Sequence, residues 1–315
     1  MTHTLRPMFP HAWDSTMLAA FRSCPQKMFR TYVEHWKPKA ESVHLVAGGA
    51  FAKGIETARK AFFEQGLDRE AAEAAGIAAL MQAYGDFECP ADSAKSLERT
   101  AGALEFYFQS YPLGGDGLTP VQFPHGGAAI EYSFAEPLNV MHPVTGDPIL
   151  YTGRCDMIGE FAGGVYCVDE KTTSSLGASW SRQWEMRAQF TGYQWAAQRT
   201  GLNVQGTLVR GVSILKTKYD TQQAITYRGP HEVERWLAQT VRDIIRARAM
   251  WREGYWDFAL DHACAEYGGC NMIDICKSPD PETWLPMRFQ KRVWDPLARQ
   301  EFSVEEWEKS WGHLT

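Results

Sequence analysis

The chain has no run of about 18 consecutive apolar residues, so it offers no candidate transmembrane helix. Its first residues, MTHTLRPMFPHAWDST, lack the apolar stretch of a secretory signal, which leaves a cytoplasmic protein with no membrane partner as the expectation. There is no internal repeat and no low-complexity tract, which excludes solenoid and propeller architectures. None of the nine histidines falls into an H-E-x-x-H pattern, so zincin chemistry is excluded. The cysteines form no C-x₂₋₄-C knuckle of the kind that structural zinc sites favour. Positive charge is not in surplus either. The net charge of −6 excludes a protein coated in basic surface, while a local groove of Lys and Arg remains open as a route to phosphate contacts.

What is present suffices for a sizeable core: 315 residues, 44% hydrophobic and 22% charged. Helical spacing of Leu18, Phe21, Met28, Phe29 and Tyr32 marks a first helix over 14–36, with Asp14 or Ser15 as N-cap and a break at Pro25. Further helices are expected over 45–65, 68–84 and 92–111. Gly and Pro then dominate 112–127, a loop by composition. From Ala128 the pattern turns to strands, followed by a helix over about 180–200, two more strands and a long helix over 231–253. Three segments follow. Residues 1–127 form a helical N-terminal part, 128–253 an α/β core, and 254–315 a cysteine-bearing C-terminal part and tail.

The most informative stretch runs from Ile149 to Gln198. Two β-prone segments, ILYTGRCDMIGEF and VYCVDEKTTSS, flank a turn at Ala162 to Gly164, the pattern of an antiparallel hairpin. Asp169 and Lys171 lie two apart on the second strand and therefore point to one side, with Glu170 turned away. Asp156 reaches the same place from the neighbouring strand. Two carboxylates and an ammonium at one point are costly unless a cation or a phosphate joins them. Asp156 and Asp169 can hold a divalent cation through oxygen. Lys171 can orient or deprotonate a water, or pair with a phosphate. A surface salt bridge is the plainer account of D-x-K alone. Against it, the second strand is apolar up to its charges. The next helix also carries Gln189 and Tyr193 one turn apart on one face.

These motifs, G-R-C-D at 153–156, V-D-E-K-T at 168–172 and Q-F-T-G-Y at 189–193, resemble the PD-(D/E)XK nuclease superfamily, most nearly its RecB-like branch. The resemblance implies a restriction-endonuclease-like α/β fold, a mixed central sheet flanked by helices. It implies Mg²⁺ or Mn²⁺ on Asp156 and Asp169, a catalytic Lys171, and Gln189 and Tyr193 assisting at the substrate. The implied activity is a metal-dependent DNA nuclease, an exonuclease on DNA ends or single strands in phage or bacterial recombination and repair. A helicase or a single-strand annealing protein is the implied partner. The chain departs from the pattern at one point: GGAFAKGIE carries Ala52 where RecB-like nucleases place a metal-binding His. Glu56, one turn on, is the candidate replacement. The competing expectation is a catalytically weakened DNA-binding module that retains the fold.

Cys264, Cys270 and Cys276 are evenly spaced in CAEYGGCNMIDIC, with Gly268 and Gly269 permitting tight turns. Three thiolates need a fourth ligand to close a metal centre, and Cys24 is the candidate. The resemblance to the iron–sulfur subset of helicase–nucleases and CRISPR adaptation nucleases implies that these four hold a [4Fe–4S] cluster, stapling the chain ends around the core. Zinc is the alternative by ligand type. Cys89, Cys155 and Cys167 read as core or strand residues. His125 and His142 are placed in loops beside the core, and Arg235, Arg242, Arg246, Arg248 and Arg252 give the long helix a basic face.

Overall fold

The computed structural model describes residues 8–123, 126–260, 262–265 and 269–311; His125 and Gly268 lie outside them. In chain order the elements are β1 (Ala12–Trp13), α1 (Ser15–Ser23), α2 (Pro25–Met28), β2 (Trp36–Pro38), α3 (Val43–Phe63), α4 (Arg69–Tyr84), α5 (Leu97–Ser110), β3 (Thr119–Pro120), β4 (Ile130–Met141), β5 (Pro148–Phe161), β6 (Gly164–Thr173), α6 (Ala178–Arg182), α7 (Ala188–Arg199), β7 (Gly206–Ile214), β8 (Tyr219–Tyr227) and α8 (Pro230–Glu253). The C-terminal part adds α9 (His262–Ala265), α10 (Ile273–Lys277), α11 (Pro281–Arg288), β9 (Phe289–Lys291), β10 (Val293–Asp295), β11 (Gln300–Phe302) and α12 (Val304–Trp311). The residues group into two compact units. One comprises Met1–Ala40, Ala135–Gly153 and Arg235–Thr315; the other comprises Glu41–Phe134 and Arg154–Glu234.

The second unit holds a mixed sheet in the order β3-β5-β6-β7-β8. Its β6 and β7 are parallel and the other neighbours antiparallel. A parallel pair cannot be closed by a tight turn, and α6 and α7 supply the crossover. Strand β7 is buried at all nine positions, as a strand covered on both faces must be. Val212 and Ile214 pack under Phe51, Ile55, Leu104 and Tyr107 of α3 and α5. On the opposite face a Cβ on Gly211 would lie 2.3 Å from the Trp180 ring of α6, so glycine is what lets that helix settle there. The expected helix over 180–200 is in fact two, α6 and α7, separated by residues 183–187.

Helices α3 and α4 approach through two glycines. A Cβ on Gly76 would stand 2.6 Å from the Gly54 carbonyl oxygen, and one on Gly54 would stand 2.5 Å from Leu104 Cδ2. The apolar content of these helices thus reaches close packing only because side chains are missing at the crossing.

In the first unit, Asp14 caps α1 by accepting the Met17 amide at 2.8 Å. Its other oxygen accepts the Trp294 indole N–H at 2.7 Å. The break expected at Pro25 is present: Cys24 is extended (φ −159°, ψ 113°), and Pro25 opens α2. The N- and C-terminal segments of this unit are joined by the antiparallel pair β2–β9, Trp36 facing Lys291 and Pro38 facing Phe289. Met272, Ile275, Leu285 and Phe289 form a small core beside them.

The glycine crossing makes a stability prediction. Gly76→Ala gains about 1 kcal/mol of helix propensity, but two neighbours must move to admit the methyl, at a cost of about 1–3 kcal/mol. Urea unfolding is expected to show a lower midpoint with an unchanged slope; a higher midpoint would mean that α3 and α4 do not meet as described.

Candidate active site and cysteine centre

The β5–β6 hairpin turns through two residues, Ala162 (φ 47°) and Gly163 (φ 81°), both in the left-handed region that a type I′ turn requires. Phe161 faces Gly164, and the ladder continues to Met157 facing Val168. Asp156 and Asp169 are the next opposed positions. There the strands exchange a side-chain contact: Asp156 Oδ2 accepts the Glu170 backbone N–H at 3.1 Å.

Pairing with β7 fixes which way each charge points. Asp169 and Lys171 align with Val209 and Gly211, on the face covered by α6. Glu170 aligns with Arg210 and faces the other way, towards α3 and α5. It is buried there rather than solvated. Arg59 Nη1 donates to Glu170 Oε2 at 3.0 Å, Arg59 Nη2 donates to Oε1, and the Tyr107 hydroxyl donates to Oε1 at 3.1 Å. The Arg59 and Glu170 side chains are 4% and 1% exposed, so this is a fully desolvated fork. Burial pushes the Glu170 carboxyl up, but the Arg59 charge and hydrogen bonds outweigh it and hold the group below its ordinary value.

The other face is charged without being balanced. Asp169 is buried, and its Oδ1 meets the Lys171 ammonium in an ion pair but accepts no well-formed hydrogen bond. Burial raises the Asp169 carboxyl, against the pull of Lys171 and, more weakly, of Arg187. Asp156 is held well above the usual carboxylate range by burial, then by Asp169 and Glu170, with Glu131 adding to the repulsion. Lys171 feels the opposite balance. Burial lowers it, but Asp169, Asp156 and Glu170 together hold its ammonium above the ordinary lysine value. The group is a cluster of carboxylates short of positive charge, with a firmly protonated lysine among them.

Gln189 and Tyr193 lie on α7, which packs against β6 and β7, and the Gln189 amide donates to the Tyr193 hydroxyl at 2.8 Å. The Tyr193 ring packs edge-on against Phe134 at 5.8 Å. Glu56 lies on α3. Its carboxylate is taken by Lys53 at 3.0 Å and Lys60 at 2.7 Å on its own helix, and its charge bears on Glu131. Glu131 is a residue that sequence reasoning did not single out. It sits at the start of β4 with a left-handed φ of 56°, pairs with Arg154 at 2.5 Å, and contributes to the field on Asp156. Arg59, Tyr107 and Arg187 were likewise unmarked. The only available signal was a buried-strand Glu between Asp169 and Lys171, which demands a cation from somewhere.

In the first unit Cys24, Cys264, Cys270 and Cys276 are all free thiols. Cys24 Sγ accepts the Ala259 amide at 3.5 Å, and the Cys270 amide donates to the Cys264 carbonyl at 2.9 Å. Burial raises the Cys276 thiol, and Cys24, Cys270 and Cys264 each raise it further, which puts the four in one electrostatic neighbourhood. Among the described residues, no three His, Cys, Asp or Glu side chains form a group that could hold a metal ion as they stand. Cys155 and Cys167 are fully buried on the hairpin strands, as core residues. His142 is buried, donates from Nε2 to the Phe9 carbonyl at 2.9 Å, and stacks on His11 at 3.7 Å. On α8, Arg246 is paired with Asp257 at 2.9 Å and Arg248 donates to the Met141 carbonyl at 2.9 Å. No helix among the described residues is long and apolar enough to cross a membrane.

Comparison with known proteins gives three findings. The profile of the PD-(D/E)XK nuclease superfamily matches residues 15–277. No curated protein matches the sequence. Among solved structures, a "putative exonuclease" from Eubacterium rectale is similar, with a TM-score of 0.50 at 12% identity over 81% of this chain and 87% of that one. The protein SSO0001 is more distant, with a TM-score of 0.28 at 14% identity over 64% of this chain and 74% of that one, and adds nothing to the fold assignment.

The raised carboxyls of Asp156 and Asp169 set a pH dependence. A carboxyl whose folded-state pKa lies above its unfolded value stabilises fully below the unfolded value and loses that contribution as pH rises through the folded one. In chelator, the melting temperature is therefore expected to fall from about pH 4 towards neutrality on their account. Asp156→Asn is expected to flatten that fall and to raise neutral-pH stability by about 1–2 kcal/mol, as removal of a functional-site strain does. Calorimetry across pH checks it, and a variant less stable than wild type at neutral pH would show Asp156 to be a structural anchor.

Proposed function

The chain belongs to the PD-(D/E)XK nuclease superfamily, and from that premise we propose that it is a RecB-like, metal-dependent deoxyribonuclease that hydrolyses phosphodiester bonds, acting as an exonuclease on DNA ends or single strands in recombination or repair. The observation that carries this reading is the surplus of carboxylate at one buried point, Asp156 and Asp169 both raised, with Asp169 bearing on Asp156 and Lys171 as the ammonium paired to Asp169. A divalent cation would relieve that repulsion, and all-oxygen donors suit Mg²⁺ or Mn²⁺. The donor set fits, so Asp156 and Asp169 are the residues assigned to hold the ion. Both further carboxylates are paired, Glu131 with Arg154 and Glu56 with Lys53 and Lys60, and the field of Glu131 on Asp156 makes it our choice of third carboxylate. When bound, the ion supplies neutralisation of charge on the phosphorane-like transition state and acidification of the attacking water.

The chain's own groups do the rest. Lys171 is held protonated by its neighbours, which suits it to donate to a phosphate oxygen or to the nucleophile rather than to act as a base. Gln189 and Tyr193 form a bonded pair on α7 that can donate to the substrate strand. A helicase or a single-strand annealing protein is the partner class that goes with this role.

We assign Cys24, Cys264, Cys270 and Cys276 to a [4Fe–4S] cluster, with Zn²⁺ as the alternative. The support is the donor chemistry, four thiols in one electrostatic neighbourhood and no carboxylate or imidazole among them. Such a cluster would tie Cys24 of the N-terminal segment to the three cysteines of the C-terminal one, the segments that β2 and β9 already join.

The test is cleavage of end-labelled single- and double-stranded DNA with Mg²⁺ or Mn²⁺. Wild type is expected to cleave. Lys171→Ala is expected to lose about 10²–10³-fold in rate, the usual cost of removing one electrostatic donor. Glu131→Ala is expected to need more metal for half-maximal rate, whereas Glu56→Ala is expected to match wild type. DNA bound but never cut, under either metal, would favour a module that has lost catalysis, the reading that Ala52 supports. Protein purified without air is expected to contain iron and acid-labile sulfide; zinc in their place would sink the cluster.

A further inference from the structure

Among the described residues Trp284 is the exposed tryptophan, at 49%, while the others are buried or half-buried. Its neighbour on α11, Leu285, is fully buried in the small core with Met272, Ile275 and Phe289. Successive helix residues point about 100° apart, so the anchoring of Leu285 holds Trp284 at the surface. Arg288, one turn further on, shares its face. The facing wall is α10, anchored in the same core by Ile275 and carrying Asp274 and Lys277. Ser278 and Pro279 join the two helices. There Ser278 Oγ accepts the Asp280 amide at 3.1 Å, and Asp280 caps α11 by accepting the Thr283 amide at 3.4 Å. These residues line an open cleft of about 360 Å³, a size that suits a small ligand. Its walls are set by the core behind them.

The lining carries one positive charge in surplus, Lys277 and Arg288 against Asp274, in a chain whose net charge is −6. Arg288 is ion-paired with Asp274. Among the described residues the Lys277 ammonium has neither an ion pair nor a hydrogen bond. An indole half out of water offers a flat π-face on which any base can stack. An ammonium beside it suits a phosphate. An apolar partner helix would use the indole but press Lys277 and Arg288 against apolar surface, which is unfavourable without a counter-charge. A nucleotide matches both walls.

We propose that this cleft binds one nucleotide of single-stranded DNA, its base stacked on the Trp284 indole and its phosphate paired with Lys277. The inference rests on the nuclease reading and adds to it a single strand as what the C-terminal part holds. Arg288 is engaged by Asp274 and Ser278 Oγ by the Asp280 amide, so the phosphate contact falls to Lys277. Stacking makes no use of base edges, so the cleft reads no sequence.

The experiment measures binding of the full chain, in chelator and across a salt series, to oligothymidylate and to an abasic strand of the same length. Trp284→Ala is expected to bind oligothymidylate about tenfold more weakly and the abasic strand as wild type does, with Trp284→Phe recovering most of the loss. Lys277→Met is expected to weaken both strands and to make the salt slope shallower by about 0.7, the share of one phosphate on a single strand. Trp284→Phe and Lys277→Met are expected to melt as wild type does. Bound oligothymidylate is expected to quench the fluorescence of wild type more than that of Trp284→Phe, a readout that stands even if Trp284→Ala does not fold. Equal quenching, or equal affinity of wild type and Trp284→Ala for oligothymidylate, would overturn the proposal. So would self-association of wild type that Trp284→Ala abolishes at unchanged DNA affinity, which would make the cleft an interface between copies. Where wild type still cleaves DNA with Mg²⁺ or Mn²⁺, these outcomes leave the nuclease reading intact. Wild type that neither binds nor cleaves any strand overturns both.

Discussion

Strand β6 is covered on both faces, and its period of two sends consecutive side chains into different layers. That constraint organises the second unit. A strand reading D-E-K must bury a carboxylate on one side and a carboxylate–ammonium pair on the other. The two burials are solved differently. Glu170 is closed off completely by Arg59 and Tyr107, with every oxygen donated to and the charge matched. Asp169 is left with its lysine and a repelling Asp156. Satisfied polarity on one face gives β6 a fixed register and tilt. The unsatisfied polarity then sits on the other face of a strand that cannot move to relieve it. Carboxyls raised by burial and by one another are enriched at functional sites, which is what makes this face the candidate site.

The same strand shows how far sequence reading reaches. Alternation alone placed Asp169 and Lys171 together and Glu170 opposite, and the Ala-Gly-Gly turn located the hairpin that brings Asp156 into line. These are local rules, and they hold because the strand is fully embedded. What Glu170 meets was not legible, because Arg59 is 111 residues away and its partnership depends on how α3 crosses the sheet. Nor was the standing of Glu56. One turn from Ala52 it is a candidate replacement oxygen, and the sequence did not show that Lys53 and Lys60, three and four residues away, pair with it. Glu131 escaped notice for a third reason. Its relevance comes from a left-handed backbone at the head of β4, a conformation that glutamate does not advertise.

Helix breaks divide in the same way. Pro25 announced the interruption after Cys24, since proline forbids its predecessor the helical region. The gap between α6 and α7 carries no proline and no glycine. There tertiary fit decides: Trp180 and Trp184 pack edge to face at 5.5 Å, and the Arg228 guanidinium donates to the Trp184 carbonyl, a group that a continuous helix would have used itself. A buried arginine on one carbonyl is a long-range partner that no window of sequence contains.

Charge balance finally separates the two lysines near the end of β6. Lys171 sits among Asp169, Asp156 and Glu170 and is held protonated by them. Lys95, joined to the next residue along, has a hydroxyl and no acid. If an anion were the missing partner of the first, it would have to displace carboxylates already in place, so the field there calls instead for a cation. Around the second, burial alone lowers the ammonium. Thr172 stands on the α3 and α5 face of β6 and Lys171 on the α6 face, so the two fields belong to different sides of the sheet.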